Sequence, residues 1–336
     1  MGAMQERRIV VVTPVLNDWA SFRQLVAEMA GLKAIAGDKV HVIAVDDGST
    51  EVEPPGAEAL VGPIQEIRVL RLQANMGHQR AIALGLAYAQ RELDFDFAVV
   101  MDSDGEDRPA DVELLIAAHT ADPGSIIVAQ RSERSEGLLF RTFYQFYKVL
   151  FRRLTGKGIA FGNFSLIPKR RLGNVIFNPG IWNNLPATML RARIPIEMVA
   201  TKRGERYFGS SKMGFTSLML HGMSAISVFS DIVIGRLIVG MAMLALLLGA
   251  GVIGTLYLKY QTTILVPGYA TTVILILSST LVNAIMVGFL SIMSLLAARS
   301  QLATMPSELV GTLVAGVDII RRTSEGVAPI RATPLR

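Results

Sequence analysis

The sequence predicts an α/β domain on a mostly parallel sheet, followed by interfacial helices and two transmembrane helices. Three observations carry this. Apolar strand-like runs alternate with amphipathic helical runs through the first half of the chain. Polar clusters fall at the ends of the strand-like runs. Two long stretches near the C-terminus carry no charge.

Taken in order, residues 9–13 read as a strand and 21–29 as a helix. Residues 40–45 form a second strand ending in Asp46-Asp47-Gly48-Ser49. A strand over 67–72 precedes a helix over 79–90. A strand over 97–101 ends in Asp102-Ser103-Asp104, and a helix over 111–118 leads to a strand over 126–130. Alternation of this kind suits a parallel sheet with helices on both faces, whose ligands sit outside the carboxyl ends of the strands. Asn17-Asp18, Asp46-Asp47 and Asp102/Asp104 all fall at such ends, which makes a ligand cleft the expected site.

Residues 140–153 interleave Phe140, Phe143, Tyr144, Phe146, Tyr147 and Phe151 with Arg141, Lys148, Arg152 and Arg153. This suits a helix at a membrane surface, with rings in the interface and cations at lipid phosphates; a packed core helix is the alternative. Residues 215–234, where only His221 and Asp231 can carry charge, read as a second interfacial helix. Residues 237–258 lie uncharged between Arg236 and Lys259, and 261–298 lie uncharged before Arg299. A span needs about 20 apolar residues, so each stretch holds one. Pro267 and Gly268 mark the entry to the second, leaving 270–296 as its helix. Buried helices of a soluble core rarely run this long without a charge. Gly240, Gly249, Gly251 and Gly254 suit close packing in lipid and permit self-association.

The expected organisation is a catalytic domain over 1–213, an interfacial amphipathic helix over 214–235, a transmembrane hairpin over 236–299 and a cytoplasmic tail over 300–336. Arg7 and Arg8 lead straight into a strand-like run, so no secretory signal is expected. The short inter-span loop carries only Lys259, whereas Arg321, Arg322, Arg331 and Arg336 follow the second span. The positive-inside rule then places both ends in the cytoplasm and the protein in the inner, cytoplasmic membrane. The chain has no cysteine, which excludes disulfides and thiolate chemistry. The net charge of +5 points to anionic lipid and phosphate as partners, and nothing specific points to nucleic acid.

Asp102 and Asp104 sit at alternate positions past an apolar strand, where two carboxylates are costly unless neutralised. Mg²⁺ or Mn²⁺ holding a diphosphate does this, with Glu106 and Asp107 adding oxygens nearby. Asp107, before Pro109, also suits a helix cap. Asp46-Asp47-Gly48-Ser49 is a plain turn or a ligand-binding strand end. Arg206 and Lys212, within Arg206-Tyr207-Phe208-Gly209-Ser210-Ser211-Lys212, bind a diphosphate or a lipid phosphate, or only touch headgroups.

These motifs carry a family resemblance. Val12-Thr13-Pro14-Val15-Leu16-Asn17-Asp18 resembles the "PVYNE" opening of glycosyltransferase family 2, and Val45-Asp46-Asp47-Gly48-Ser49 its second motif. Asn75-Met76-Gly77-His78-Gln79 is similar to the "N-x-G-H-Q" segment of bacterial polyprenyl-phosphate glycosyltransferases. Residues 101–109 stand in the place of "D-A-D-L-Q-D-P", and Arg206, Gly209, Ser211 and Lys212 fit "R-x-x-G-x-S-K". The resemblance runs from about residue 9 to 298 and covers relatives such as dolichyl-phosphate mannose synthase and the bactoprenol glucosyltransferases. It implies a GT-A (Rossmann-like) nucleotide-sugar domain, and inverting transfer from a UDP- or GDP-sugar to a polyprenyl phosphate, undecaprenyl or dolichyl.

By position, the resemblance assigns Pro14, Asn17, Asp18 and Asp46, with Asp47 beside them, to the base and ribose. It assigns Asp102, Asp104 and Glu106 to the metal, and matches Arg131 and Arg134 to the basic residues after the fifth strand. Arg206 and Lys212 meet diphosphate or acceptor phosphate. The sequence departs from the pattern at Leu16 for Tyr, at Gly105-Glu106 for Leu-Gln, and at Gly162-Asn163-Phe164-Ser165-Leu166 for "G-D-F-R-L". A processive polysaccharide synthase is disfavoured because neither Trp19 nor Trp182 follows an arginine, as Q-x-x-R-W requires. Transfer to another lipid such as diacylglycerol, and an inactive membrane scaffold, remain as alternatives.

Overall fold

A computed structural model describes residues 6–51, 62–131, 138–209, 215–261, 268–300, 303–323 and 326–331. The chain forms two compact units. One comprises Met1–Leu150, Lys157–Val228 and Thr304–Arg336; the other comprises Phe151–Gly156 and Phe229–Ala303.

Every element expected between residues 9 and 130 is present in the first unit. In order these are β1 (Arg8–Val15), α1 (Trp19–Ala30), β2 (Lys39–Asp46), β3 (Ile64–Leu72), α2 (His78–Glu92), β4 (Phe97–Val100), α3 (Val112–Ala121) and β5 (Ile126–Arg131). Then follow α4 (Leu138–Thr155), β6 (Ser165–Pro168), α5 (Lys169–Ile176), α6 (Leu185–Arg191), β7 (Ile196–Thr201) and α7 (Phe215–Ser227). The order across the sheet begins β7-β5-β6-β4-β1-β2-β3. The run β4-β1-β2-β3 is parallel, as is β5-β7, while β6 lies antiparallel between them.

The strands of the parallel run are apolar on both faces, as burial on both sides requires. Val10, Val12, Ile43, Val45 and Leu70 pack against the buried face of α2. Ile9, Val11, Val42, Ala44, Ile67 and Val69 pack on the other side with Phe22 and Leu25 of α1 and Leu115 of α3.

Residues 300–336 depart from the expected tail. Their described residues form α10 (Pro306–Leu313), β8 (Val314–Thr323) and β9 (Gly326–Arg331), and β8 and β9 extend the sheet to nine strands. β8 pairs antiparallel with β3, from Leu72 opposite Val314 to Glu66 opposite Arg321. The physical reason is the edge of β3: without β8 its buried strand presents a row of unpaired backbone groups. Val310, Val314 and Val317 join the α2 side of the core, and Gln73 donates its backbone N–H to Leu313 O at 2.9 Å.

The boundary expected at 235/236 also moves. α7 ends at Ser227, and α8 (Ser230–Gln261) begins within the segment expected to be interfacial. Side chains serve the break: Arg191 donates to Val228 O, and Asn183 Nδ2 donates to Ser227 Oγ at 2.9 Å.

In the second unit, α8 and α9 (Tyr269–Ser300) pack against each other. Ser230–Gln261 and Tyr269–Ala297 are long and apolar enough to cross a membrane, and only 6% of each apolar window is buried. Helices this apolar with so little burial are not the core helices of a soluble domain.

If α10 and β8 belong to the core, truncating Val310 must be felt. Val310→Ala is expected to destabilise the domain by about 1–3 kcal/mol, read as a lower midpoint of thermal unfolding in detergent. An unchanged midpoint would return this segment to the status of a tail.

Candidate active site

The carboxyl ends of β4, β1 and β2 stand side by side in the sheet and carry the expected residues. At the β1 end, Asn17 takes a left-handed conformation with φ 48°. Its Oδ1 accepts from the backbone N–H groups of Thr50 at 2.9 Å and Glu51 at 3.1 Å, and its own N–H donates to Ser49 Oγ at 2.9 Å. Asn17 thereby ties the loop after β1 to the loop after β2. Asp18 stands at the N-cap of α1, where its side chain makes no capping bond. Pro14 is buried in β1, and its carbonyl accepts from the Ser103 hydroxyl at 3.4 Å.

At the β2 end the two aspartates diverge. Asp46 is buried and accepts from Ser49 N–H at 2.9 Å and from Arg71 Nη1 at 3.4 Å. Asp47 turns away and accepts the N–H groups of Met76 at 2.6 Å and Gly77 at 2.9 Å. Its carboxylate therefore shapes the loop that starts α2. Burial raises the Asp47 carboxyl above the ordinary range despite these two donors.

The turn after β4 gathers the charges. Asp107 is buried, accepts Asp102 N–H at 3.0 Å and pairs with Arg131 Nη2 at 2.9 Å. It serves this turn rather than a helix cap, because Pro109–Asp111 forms a short 3-10 turn capped at Arg108 before α3 begins. Asp104 accepts Glu106 N–H at 2.9 Å and pairs with Arg206. Glu106, expected beside the metal, gives both oxygens to guanidinium groups: Arg203 at 2.8 Å, Arg206 at 3.2 Å and Arg131 at 3.4 Å.

Backbone contacts lock this turn to the loop after β7. Gly204 N–H donates to Glu106 O and Tyr207 N–H donates to Asp104 O, each at 2.9 Å. Gly105 has φ 89°, and a Cβ on Gly204 would lie 2.0 Å from the Gly105 carbonyl oxygen. Glycine is thus required at both positions. Arg203 and Arg206 flank this contact, and Tyr207 Oη donates to Glu28 at 2.9 Å.

The charge states follow from crowding. Burial pushes the Asp107 carboxyl up to about 7, with the neighbouring Asp102 adding to the shift. Burial works against charge on Asp102 as well, but the His78 imidazole and Arg131 outweigh it and hold that carboxyl below the ordinary range. Asp104 is raised by burial and then by Asp102, whereas Glu106 is held low by Arg203, Arg206 and Arg131 against the cost of its burial.

His78, the first residue of α2, extends the site. Its Nε2 lies 3.2 Å from Asp102 Oδ1 and 3.0 Å from Asn163 Nδ2. Leu185 N–H donates to Gln79 Oε1 at 2.8 Å, and Gln79 Nε2 donates to Asn163 Oδ1 at 3.0 Å. This chain fixes the Asn163 amide beside the ring. His78 stands in the motif Asn75-Met76-Gly77-His78-Gln79, but no spacing or pattern joins it to Asp102. Arg203 and the turn role of Asp107 carried no sequence signal of their own. Lys212 and Arg134 lie outside the described residues.

A divalent cation fits this donor set. Asp102 Oδ1 is buried and, among the described residues, has no aligned hydrogen-bond donor despite the nearby ring. It lies in the same turn as Asp104, whose charge is penalised by Asp102. No group of three or more metal-ligating side chains converges among the described residues. Two carboxylates with phosphate oxygens completing the shell match the habit of Mg²⁺ and Mn²⁺.

Carboxylates that suit a cation, ringed by guanidinium groups that suit an anion, make this a site able to take a cation together with a phosphate-bearing ligand. The chain belongs to glycosyl transferase family 2, whose pattern it matches over residues 10–191, and the α/β unit is a GT-A-like domain with a mixed sheet. It is similar to the undecaprenyl-phosphate 4-deoxy-4-formamido-L-arabinose transferases of Salmonella paratyphi A and Salmonella enteritidis, at 26% identity over 232 residues. Each match covers 63% of this chain and 64% of the relative's length. Among solved structures it resembles glucosyl-3-phosphoglycerate synthase from Mycobacterium tuberculosis in complex with Mn²⁺, UDP and glucosyl-3-phosphoglycerate. That likeness has a TM-score of 0.49 and 17% identity, covering 67% of this chain and 80% of the other.

The raised Asp107 carboxyl has a measurable consequence. A group whose folded value lies above its unfolded value contributes stability below the ordinary carboxyl range and loses it as pH rises through the folded value, here about 7. In the metal-free protein, a protonated-carboxyl infrared band is therefore expected to fade as pH rises through about 7 and to be missing from Asp107→Asn. The same band in that variant would assign the proton elsewhere.

Proposed function

We propose that this protein transfers a sugar, with inversion, from a UDP- or GDP-sugar to a polyprenyl phosphate at the cytoplasmic face of a membrane. The observation that carries this reading is the turn after β4, where Asp102 and Asp104 stand among Arg131, Arg203 and Arg206 at the carboxyl end of the sheet. In a family 2 chain with two apolar helices, that arrangement suits a nucleoside diphosphate leaving group and a lipid-borne phosphate acceptor. The similarity to undecaprenyl-phosphate transferases supports the choice of acceptor.

In this reading Asn17, Asp18 and Asp46 face the base and ribose, with Pro14 forming the floor beneath. Asp102 and Asp104 would hold Mg²⁺ or Mn²⁺, which when bound supplies Lewis-acid neutralisation of the leaving diphosphate. Glu106 orders the arginines in place of binding the metal. Arg131 and Arg206, together with Arg134 and Lys212, hold diphosphate or acceptor phosphate. A phosphate monoester with a second pKa of about 6 is largely dianionic near neutral pH, so no strong general base is needed. The residues instead place the attacking oxygen in line with the anomeric carbon and balance the charge of two anionic substrates.

Membrane placement has support in the first unit as well as in the two apolar helices. Tyr147 Oη of α4 donates to Gly222 O of α7 at 3.1 Å. Beside that contact Phe146 and Val149 of α4, and Leu220 and Met223 of α7, are each about 60% exposed. An apolar face at this level of exposure, with Lys148 on the same helix, suits an interfacial position.

The test is incubation of purified protein with undecaprenyl phosphate, Mg²⁺ or Mn²⁺, and a panel of labelled UDP- and GDP-sugars. Label from one donor is expected in the organic phase, with loss of about a hundredfold or more in Asp104→Ala. Near-normal transfer by that variant would remove Asp104 from the site. Nucleotide binding without transfer would point to another lipid acceptor.

A further inference from the structure

β8 brings a carboxylate, Asp318, to the face of the sheet that holds Asp46. Asp46 is opposite Arg71 in the β2–β3 pairing, and Arg71 is opposite Gly316 in the β3–β8 pairing. Residues directly opposite, or two apart on one strand, share a face of the sheet, so Asp46, Arg71, Gly316 and Asp318 lie on one face. This is the face covered by α1, the same one to which Ala44, Val69 and Ile320 contribute. Gly316 offers no side chain opposite Arg71, and the guanidinium takes the diagonal neighbour. Arg71 Nε donates to Asp318 Oδ2 at 2.8 Å, and its Nη1 lies 3.4 Å from Asp46 Oδ2.

Both ends of this chain of contacts differ in setting. Asp46 is held within the protein, whereas the side chains of Arg71 and Asp318 are 31% and 38% exposed. Without Asp318 the Arg71 side chain keeps many rotamers in water, and only some of them face Asp46. With Asp318 engaged at Nε, the planar guanidinium has one edge committed and turns the other toward Asp46. Asp46 then has Ser49 N–H on one oxygen and a fixed cation on the other.

We infer that Asp318 is a positioning residue for donor binding: through Arg71 it fixes the orientation of the Asp46 carboxylate that meets the nucleobase end of the donor. This rests on the proposed reading of Asp46. It assigns a role in that site to a strand on the far side, in sequence, of both apolar helices.

The test compares wild type, Asp318→Asn and Asp318→Glu as full chains in detergent. Calorimetric titrations use UDP, GDP and inorganic diphosphate, each with Mg²⁺. Asp318→Asn is expected to weaken the preferred nucleoside diphosphate by about three- to tenfold and to raise donor KM alike, with kcat and inorganic diphosphate binding unchanged. Asp318→Glu is expected to recover most of the affinity. Equal nucleoside diphosphate binding by wild type and Asp318→Asn overturns the inference alone. So does an equal loss for inorganic diphosphate, which marks general damage to the sheet. A wild-type protein that binds neither nucleotide overturns the parent reading and this inference with it.

Discussion

Charge crowding in the turn after β4 is the constraint around which the site is arranged. Asp102, Asp104, Glu106 and Asp107 occupy one short turn at the end of a buried strand, and like charges in such a place oppose one another. Arg131, Arg203 and Arg206 relieve this through pairs with Asp104, Glu106 and Asp107. Among the described residues Asp102 is left with His78 at one oxygen and no arginine pair, which makes it the carboxylate most in need of an added cation. The same balance sets the protonation of the turn: Glu106 keeps its charge beside the arginines, while Asp107 gives way.

The departures from the family pattern explain one another. Gly105 in place of Leu gives the turn its positive φ and leaves room for the Glu205 carbonyl and the Tyr207 ring, which lie 2.8 and 2.9 Å from where a Cβ would stand. That approach carries Arg203 and Arg206 onto the turn, where Glu106 in place of Gln meets them. Asn163 in place of Asp likewise has a use. A carboxylate there would add a further negative charge beside His78 and Asp102, whereas the amide is fixed by Gln79 and stays neutral. The loss of charge on one side and its gain on the other leave an acidic turn bound mainly to arginines.

Much of this was legible in the sequence. The alternation that placed strands at 9–13, 40–45 and 97–101 reflects burial on both faces, a strong local signal. The polar strand ends at Asn17, Asp46 and Asp102 followed from the same pattern. What failed was non-local. β6 is only Ser165–Pro168, too short to show a period, and its antiparallel direction depends on its neighbours. β8 reads as a mixed polar segment because Gly316 and Asp318 stand among Val314, Val317 and Ile320, and its place between β3 and β9 is set by pairing with segments remote in sequence. The division of labour between Asp46 and Asp47 could not be read from adjacent identical residues; it depends on which of them meets the loop before α2. His78 was visible as a motif member, but its closeness to Asp102 required two segments remote in sequence to meet.

The pairing of β3 with β8 also orders events in time. β3 leaves the ribosome early, while its partner strand is translated only after α8 and α9 have been made. Until then the nascent domain carries an open edge, with the Arg71 side chain lacking its C-terminal partner. Completion of the sheet therefore waits on synthesis of the apolar hairpin. The sheet is in this way completed only once the most apolar helices have been made, and until then the chain carries an exposed strand edge.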